Sequence, residues 1–128
     1  AAQVTITTDL GVDLPQVRAN RIQIAQVLVN LMRNAIEAVS EKESNDRRVH
    51  VHAALTDGRV QVCVADTGPG VDPSINLFED FETTKAGGTG LGLSICRSIV
   101  HTNGGRIWHE PAEPNGARFC FTLDTAAG

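Results

Sequence analysis

The stretch VQVCVADTGPG, at residues 60–70, changes abruptly from an apolar segment to a glycine-rich turn. Valine alternates with other residues in its first half, which is the period of a strand with one face against a core. Asp57-Gly58 stands just before it and is a strong signal for a β-hairpin turn. Residues 49–53 alternate in the same way on the other side of that turn. We therefore predict two antiparallel strands, the second ending in a carboxylate and a flexible turn.

Two predicted helices flank this hairpin. Asn20 can cap the first helix, Gln23 three residues later completes a capping box, and the helix ends near Ser40. The apolar residues of segment 91–102 recur at helical spacing. The sequence Asn-Gly-Gly follows that segment and supplies the stop signal of a second helix.

Further strands are predicted near both ends of the chain. Residues 4–8 alternate as in a short, half-buried strand, and residues 106–110 and 117–123 form a second hairpin around residues 114–116. Helices and hairpins in this order favour an α+β fold, a two-layer α/β sandwich with helices on one face of a mixed, mostly antiparallel sheet. They are not the pattern of parallel βαβ units.

Composition limits the size and the class of the protein. The chain has 128 residues, of which 41% are hydrophobic, so a single domain over residues 1–128 can bury a core. Its 11 Lys and Arg against 15 Asp and Glu give a net charge of −4, which excludes the broad basic surface of a nucleic-acid binder. No apolar run approaches the roughly 20 residues that cross a bilayer. We therefore expect a cytoplasmic domain with neither a nucleic-acid partner nor direct membrane contact.

The three cysteines are far apart in the sequence. Cys63, Cys96 and Cys120 are odd in number and lack Cys-x-x-Cys spacing, which argues against a disulfide framework and a zinc site. We expect three buried, reduced thiols.

The first helix has an unusual polar face. Asn30 and Asn34 are one turn apart, and asparagine is a mediocre helix former. An amide oxygen is a suitable hard ligand for Mg²⁺, which also takes phosphate oxygens and waters. The alternative is a solvated face that carries two incidental asparagines.

The turn after the second hairpin strand can recognise a flat ring. Asp66 can accept a hydrogen bond from an exocyclic amine, while Gly68 and Gly70 let the backbone pass close to the ring. By itself this segment is also compatible with a simple turn.

A second glycine cluster, GGTGLGL at residues 87–93, runs into the second helix. Glycine-rich backbone at a helix start exposes N–H groups and the positive end of the helix dipole, which suits phosphate. The spacing matches neither the dinucleotide fingerprint nor the P-loop. The amide-bearing helix, the strand-end carboxylate and this cluster together indicate a nucleotide site.

Four segments occur in a fixed order along the chain: NLMRNA at 30–35, DTGPG at 66–70, LFEDF at 77–81 with TTK at 83–85, and GTGLGL at 88–93. They resemble the N, G1, F and G2 boxes of the catalytic and ATP-binding domain of sensor histidine kinases. Segments 83–85 and 94–108 are most similar to the oxygen-sensing and nitrogen-regulating kinases. The resemblance implies a Bergerat-type (GHKL) α/β sandwich with ATP between the helices under a lid.

The resemblance also implies individual roles. Asn34 matches the Mg²⁺ ligand, Asn30 faces the phosphates, Asp66 accepts from the adenine amino group, and Lys85 approaches the phosphates. Phe78 and Phe81 anchor the lid. The implied catalytic residues are Asn30, Asn34 and Lys85, and the implied nucleotide-binding residues are Asn30, Asn34, Asp66, Gly68, Gly70, Phe78, Phe81, Thr84, Lys85, Gly88, Thr89, Gly90, Leu91 and Gly92. Asp80 and Glu82 depart from the family pattern, because they add negative charge to the lid.

The implied reaction transfers the γ-phosphate of Mg·ATP to a histidine of a separate dimerisation domain in the same kinase. The resemblance further implies a monomeric isolated domain, a homodimeric parent that is cytoplasmic or membrane-anchored, and a response regulator as an indirect partner. His50, His52, His101 and His109 lie on predicted strands or near a helix end, which is not the setting of the family's acceptor.

Three alternatives share this fold. Chaperone and topoisomerase ATPases use a Glu where this chain has Asn30, so phosphotransfer is favoured over hydrolysis. A protein-serine kinase fits the TTK segment less well. A non-catalytic pseudokinase module is favoured only by the acidic lid.

Overall fold

The computed structural model describes residues 3–11, 14, 16–40, 46–71, 91–113 and 115–125. Within these ranges two helices pack on one face of a five-stranded mixed sheet, which confirms the predicted two-layer sandwich. Neither helix is long and apolar enough to cross a membrane. The elements are β1 (Thr5–Leu10), α1 (Arg21–Ser40), β2 (Arg48–Thr56), β3 (Arg59–Asp66), α2 (Leu91–Thr102), β4 (Ile107–Pro111) and β5 (Ala117–Asp124).

The strand order is β1-β2-β3-β5-β4. Pairs β2–β3, β3–β5 and β4–β5 are antiparallel, whereas β1 is parallel to β2. The mostly antiparallel sheet is therefore as predicted. Excluding βαβ units was wrong at one point, because α1 carries the chain back across the sheet before β2 begins.

The first hairpin forms at the predicted turn. Asp57 has φ 52° and Gly58 has φ 77°, the two left-handed residues of a type I′ turn. This geometry matches the right-handed twist of the strands on either side, and it sets Thr56 opposite Arg59.

The core lies between the helices and the sheet. Val27, Leu31, Ala35 and Val39 recur every four residues along α1 and are buried against the sheet. Phe119 and Phe121 of β5 are the largest fully buried side chains of the described residues. Leu28, Met32 and Ala38 of α1 are half-buried beside this core.

Strand β1 differs from the prediction of a half-buried strand. All six of its residues are exposed, with Ile6 at 46% and Leu10 at 61%. The strand lies at the edge of the sheet, while α1 packs over β2 and β3. Alternation in the sequence therefore gave the strand but overstated its burial.

The start of α1 is capped by two asparagines. Asn20 Oδ1 accepts from the N–H of Gln23 at 3.0 Å, as predicted. The reciprocal half of the capping box is wrong, because the N–H of Asn20 donates to Asn103 Oδ1 at 2.8 Å. The Gln23 side chain instead accepts from Asn103 Nδ2 at 3.0 Å, so α1 is tied to the end of α2.

The expectation of three reduced thiols was wrong for two of them. Cys63 of β3 and Cys120 of β5 form a disulfide, while Cys96 is a buried free thiol. The antiparallel register sets Cys63 directly opposite Cys120, so both side chains project from the same face of the sheet. Their separation of 57 residues hides this pairing in the sequence.

Candidate functional site

The carboxylate of Asp66 is held at the end of β3. This residue is 3% exposed, and it is the single buried charged residue within the described ranges. Its Oδ1 accepts from the N–H of Gly68 at 2.9 Å and from the N–H of Ala117 at 3.3 Å. Two backbone donors from different segments therefore fix the direction of the carboxyl group.

Thr67 connects the turn after β3 to β2 through hydrogen bonds. Its Oγ1 accepts from the N–H of Arg48 at 2.9 Å and donates to the carbonyl of Asp46 at 2.9 Å. Its own N–H donates to the carbonyl of Arg48 at 3.1 Å. The turn that begins here, residues 67–70, therefore continues the hydrogen-bonded pairing of β2 with β3. These bonds fix the side of the turn that faces β2.

The two glycines of turn 67–70 make close contacts within the protein. A Cβ at Gly68 would lie 3.1 Å from the Cβ of Ala38 on α1 and 3.0 Å from Asp66 Oδ1. Gly70 has φ 87°, a left-handed conformation that glycine adopts without strain. Gly68 therefore lets the turn lie against α1, a reason for glycine beyond the predicted approach to a ligand.

The second hairpin turn supports the same loop. Asn115 Nδ2 donates to the carbonyl of Thr67 at 2.9 Å. Gly116 has φ 101° and lies so close to Asp66 that a Cβ there would overlap the Asp66 carbonyl oxygen. Turn 67–70 is consequently held between β2, α1 and the turn before β5.

One row of α1 leads to this turn. Asn30, Asn34 and Ala38 follow one another at one-turn intervals, and Ala38 is the residue that meets Gly68. Both asparagines are half-buried. The row therefore runs along α1 toward the turn that follows Asp66.

Asn30 also contacts α2 through Cys96. Burial, the larger effect, raises the pKa of the Cys96 thiol, while a hydrogen bond from the Asn30 side chain lowers it. Because this hydrogen bond favours the thiolate, the Asn30 amide is its donor and the Cys96 sulfur is its acceptor. The thiol itself lies 3.9 Å from the carbonyl of Val27. The Asn30 side chain and the buried thiol are therefore neighbours across the two helices.

The contacts between the helices give their register. Gln23 of α1 contacts Asn103, the residue that follows α2. Asn30, seven residues after Gln23, contacts Cys96, seven residues before Asn103. From the same antiparallel progression we infer that Gly92, in the first turn of α2, lies level with Asn34. Among the described residues no atom lies within 4 Å of a Cβ built at Gly92. First-turn N–H groups have no partner within their helix and suit anions.

Residues 19–127 match the family described as "Histidine kinase-, DNA gyrase B-, and HSP90-like ATPase". The chain belongs to this ATPase family. The sensor protein FixL of Bradyrhizobium diazoefficiens is 45% identical over 126 residues, 97% of this chain and 24% of FixL. The catalytic domain of the histidine kinase ThkA superposes with a TM-score of 0.82 at 36% identity, covering 95% of this chain and 79% of that one. Full-length ShkA, solved with AMPPNP, gives 0.80 at 33% identity and covers 98% and 27%.

These similarities confirm the predicted family and fold: this is the ATPase domain type of sensor histidine kinases. The domain spans about a quarter of the length of FixL. The activity and the partners of a whole sensor kinase are therefore proposed, and not shown, for this chain.

The lid predictions for this ATPase domain fall mostly outside the described residues. Leu91 opens α2 as predicted. The other lid and glycine-cluster residues lie in segment 72–90, which is not described; they are Phe78, Asp80, Phe81, Glu82, Thr84, Lys85, Gly88, Thr89 and Gly90. Their roles stay predictions.

The histidines of the ATPase domain occupy the predicted elements. His50 and His52 lie on β2, His101 lies in the last turn of α2, and His109 lies on β4. The His109 ring packs 5.7 Å from that of Phe119. The motif His109-Glu110-Pro111 is thus part of a sheet.

Sequence reasoning missed four contributors to the site, namely Thr67, Asn115, Gly116 and Ala117. The position opposite Arg48 was a signal for Thr67, because the predicted hairpin register continues through it. In the sequence Asn115 and Gly116 look like turn residues and Ala117 like the start of a strand, since nothing local shows that Ala117 lies beside Asp66, 51 residues away.

Proposed function

We propose that this chain binds Mg·ATP between α1, turn 67–70 and the start of α2, and transfers the γ-phosphate to a histidine of a separate dimerisation domain of the same kinase. The observation that carries the proposal is the buried Asp66 carboxylate, held by two backbone donors at the end of the asparagine row of α1. All 128 residues act as one catalytic domain in this proposal.

The base is recognised by Asp66. A fixed carboxylate accepts a hydrogen bond from the exocyclic amine of adenine and repels the carbonyl oxygen at the same position of guanine. Because the carboxylate is buried, the bond forms without competition from water, which increases the discrimination between the two bases. Gly68 and Gly70 shape the adjoining wall.

The phosphate end is held by the two helices. Amide oxygens are hard donors that suit Mg²⁺, and first-turn N–H groups suit phosphate oxygens, so the residues present fit Mg·ATP. Asn34 is the proposed metal ligand and Asn30 faces the phosphates. From the lid, Thr84, Lys85, Gly88, Thr89 and Gly90 complete the enclosure, with Leu91 and Gly92 at the start of α2. Bound Mg²⁺ supplies charge neutralisation on the phosphate oxygens.

The chain's own residues act by position and charge. Phosphoryl transfer requires an aligned γ-phosphate and stabilised oxygens more than covalent chemistry by the protein. Asn30 has no carboxylate and cannot take a proton from water, which favours transfer to a histidine over hydrolysis. The acceptor imidazole comes from the dimerisation domain, and a response regulator then receives the phosphoryl group. The domain is proposed to be monomeric by itself, inside a homodimeric kinase on the cytoplasmic side.

Labelled ATP tests the reaction directly. The chain is incubated with γ-labelled ATP and Mg²⁺, with and without a dimerisation domain that carries the acceptor histidine. We expect stable label on the acceptor domain alone, and none when its histidine is replaced by alanine. Label retained by the 128-residue chain, or no transfer despite nucleotide binding, would contradict the proposal.

A further inference from the structure

We infer that the turn before β5 positions the adenine-recognising carboxylate, and that Gly116 is its essential residue. The inference rests on the proposed nucleotide site and adds residues to it. We define the buttress turn as Ala112, Asn115 and Gly116, the described residues between β4 and β5 that contact one another or turn 67–70.

Gly116 lies against the backbone of Asp66. A Cβ at Gly116 would overlap the Asp66 carbonyl oxygen and lie 3.1 Å from the Cα of Thr67. The backbone conformation, at φ 101°, is also one that side chains rarely adopt. Only glycine therefore permits this approach, and a larger residue must push the end of β3 away.

The residues on either side of Gly116 contact the same place. Asn115 Nδ2 donates to the carbonyl of Thr67 at 2.9 Å, and the N–H of Ala117 donates to Asp66 Oδ1 at 3.3 Å. Three consecutive residues thus contact the backbone of Asp66 and Thr67 and the carboxylate oxygen Oδ1 of Asp66.

The buttress turn also contacts the far end of turn 67–70. A Cβ at Gly70 would lie 3.2 Å from the Gly116 carbonyl oxygen. That oxygen accepts from the N–H of Ala112 at 3.1 Å, which closes the buttress turn on itself. The carboxylate and the glycine wall of the proposed adenine pocket therefore share one support.

This support predicts an effect on selectivity. A carboxylate that loses the Ala117 donor, or whose main chain is pushed aside, no longer points in one direction. Binding of adenine then weakens more than binding of the phosphates, so the ratio of ATP to GTP affinity falls. Gly116 is in this sense a positioning residue, since it acts through Asp66.

The test compares Gly116→Ala with Gly58→Ala in the full chain. Gly58 also has a left-handed φ, 77°, but a Cβ there meets no atom within 4 Å, so its variant carries the strain without the collision. We measure ATP and GTP affinity by titration, together with thermal unfolding. We expect Gly116→Ala to lose about tenfold in ATP affinity with a lower ATP to GTP ratio. Gly58→Ala should keep both within about twofold.

Asn115→Ala decides the case if Gly116→Ala does not fold. Asn115 is exposed, and its replacement removes the bond to Thr67 without a collision. We expect it to lower ATP affinity by a few fold, again with a lower ATP to GTP ratio. Wild-type affinity and ratio in the folded variants, while Asp66→Ala abolishes selectivity, would overturn the role of the buttress turn. Unchanged selectivity in Asp66→Ala would instead overturn the proposed site.

Discussion

The side chain of Asn103 accepts a hydrogen bond from the backbone N–H of Asn20, 83 residues away, at 2.8 Å. Its amide nitrogen donates to Gln23 Oε1 at 3.0 Å and to the carbonyl of Ile99 at 2.8 Å. One residue thus supplies the N-terminal end of α1 and the C-terminal end of α2 with polar partners. The two helices that carry the proposed site are joined at the end remote from Asp66.

Replacing Asn103 by alanine should therefore destabilise the domain. The variant leaves the Asn20 N–H and the Gln23 side chain without this partner, and we expect a loss of about 2 kcal/mol in the free energy of unfolding. Denaturant titration measures it. Ser98→Ala, at an exposed position of α2, is the control and should change the free energy by less than about 0.5 kcal/mol. Equal stability of both variants would refute the helix-joining role.

The disulfide predicts a definite count of reactive thiols. The native domain should react with a thiol reagent at no cysteine, because Cys96 is buried and Cys63 is bonded to Cys120. Unfolding without reductant should release one thiol, and unfolding with reductant should release all three. Closure of a loop of 57 residues also stabilises the fold by about 4 kcal/mol, which reduction should remove. Three thiols in the unreduced, unfolded chain would show that the bond is absent.

The buried thiol of Cys96 predicts loss of stability at alkaline pH. Burial raises the pKa of this thiol in the folded state above its unfolded value. The stabilising contribution is complete below the unfolded pKa of about 8.5 and is lost as the pH rises toward the folded pKa. Between pH 7 and pH 10 the free energy of unfolding should therefore decrease more steeply for wild type than for Cys96→Val. The same pH dependence in both proteins would rule out this contribution.

Two substitutions separate the ends of the proposed nucleotide site. Asn34→Ala should bind ADP about tenfold more weakly than wild type when Mg²⁺ is present, because the proposed metal ligand is lost. Mg²⁺ should then no longer increase the ADP affinity of the variant. Asp66→Ala should remove the preference for ATP over GTP while the response to Mg²⁺ persists. Gln26→Ala, exposed on α1, should alter neither property. If both site variants bind like wild type, the site lies elsewhere.

Much of the fold follows from local signals. The Asp57-Gly58 turn, the span of α2 and the Asn20 cap depend on residues next to one another, and all three occur as predicted. The family and the two-layer fold were also recognisable from short segments in a fixed order, and the matching relatives confirm them. The assignment of Asn34 and Asp66 to a ligand remains a prediction.

Local signals failed where a distant segment supplied the partner. Alternation in β1 predicted a buried face, but the strand lies at the edge of the sheet and all six of its residues are exposed. The burial of an edge strand depends on how far α1 extends across the sheet. Gln23 was predicted to accept from the N–H of Asn20, whereas Asn103, the residue after α2, occupies that position.

The sequence by itself determined most of the elements and the family, because strand period, helix spacing and turn chemistry act between near neighbours. It also predicted the residues that are proposed to hold a nucleotide. Tertiary structure alone decided the pairing of Cys63 with Cys120 and the contact of Gly116 with Asp66. Both depend on the register of β3 against β5, which the packing of the whole sheet sets. That register adds the N–H of Ala117 to the local N–H of Gly68 as a donor to the Asp66 carboxylate.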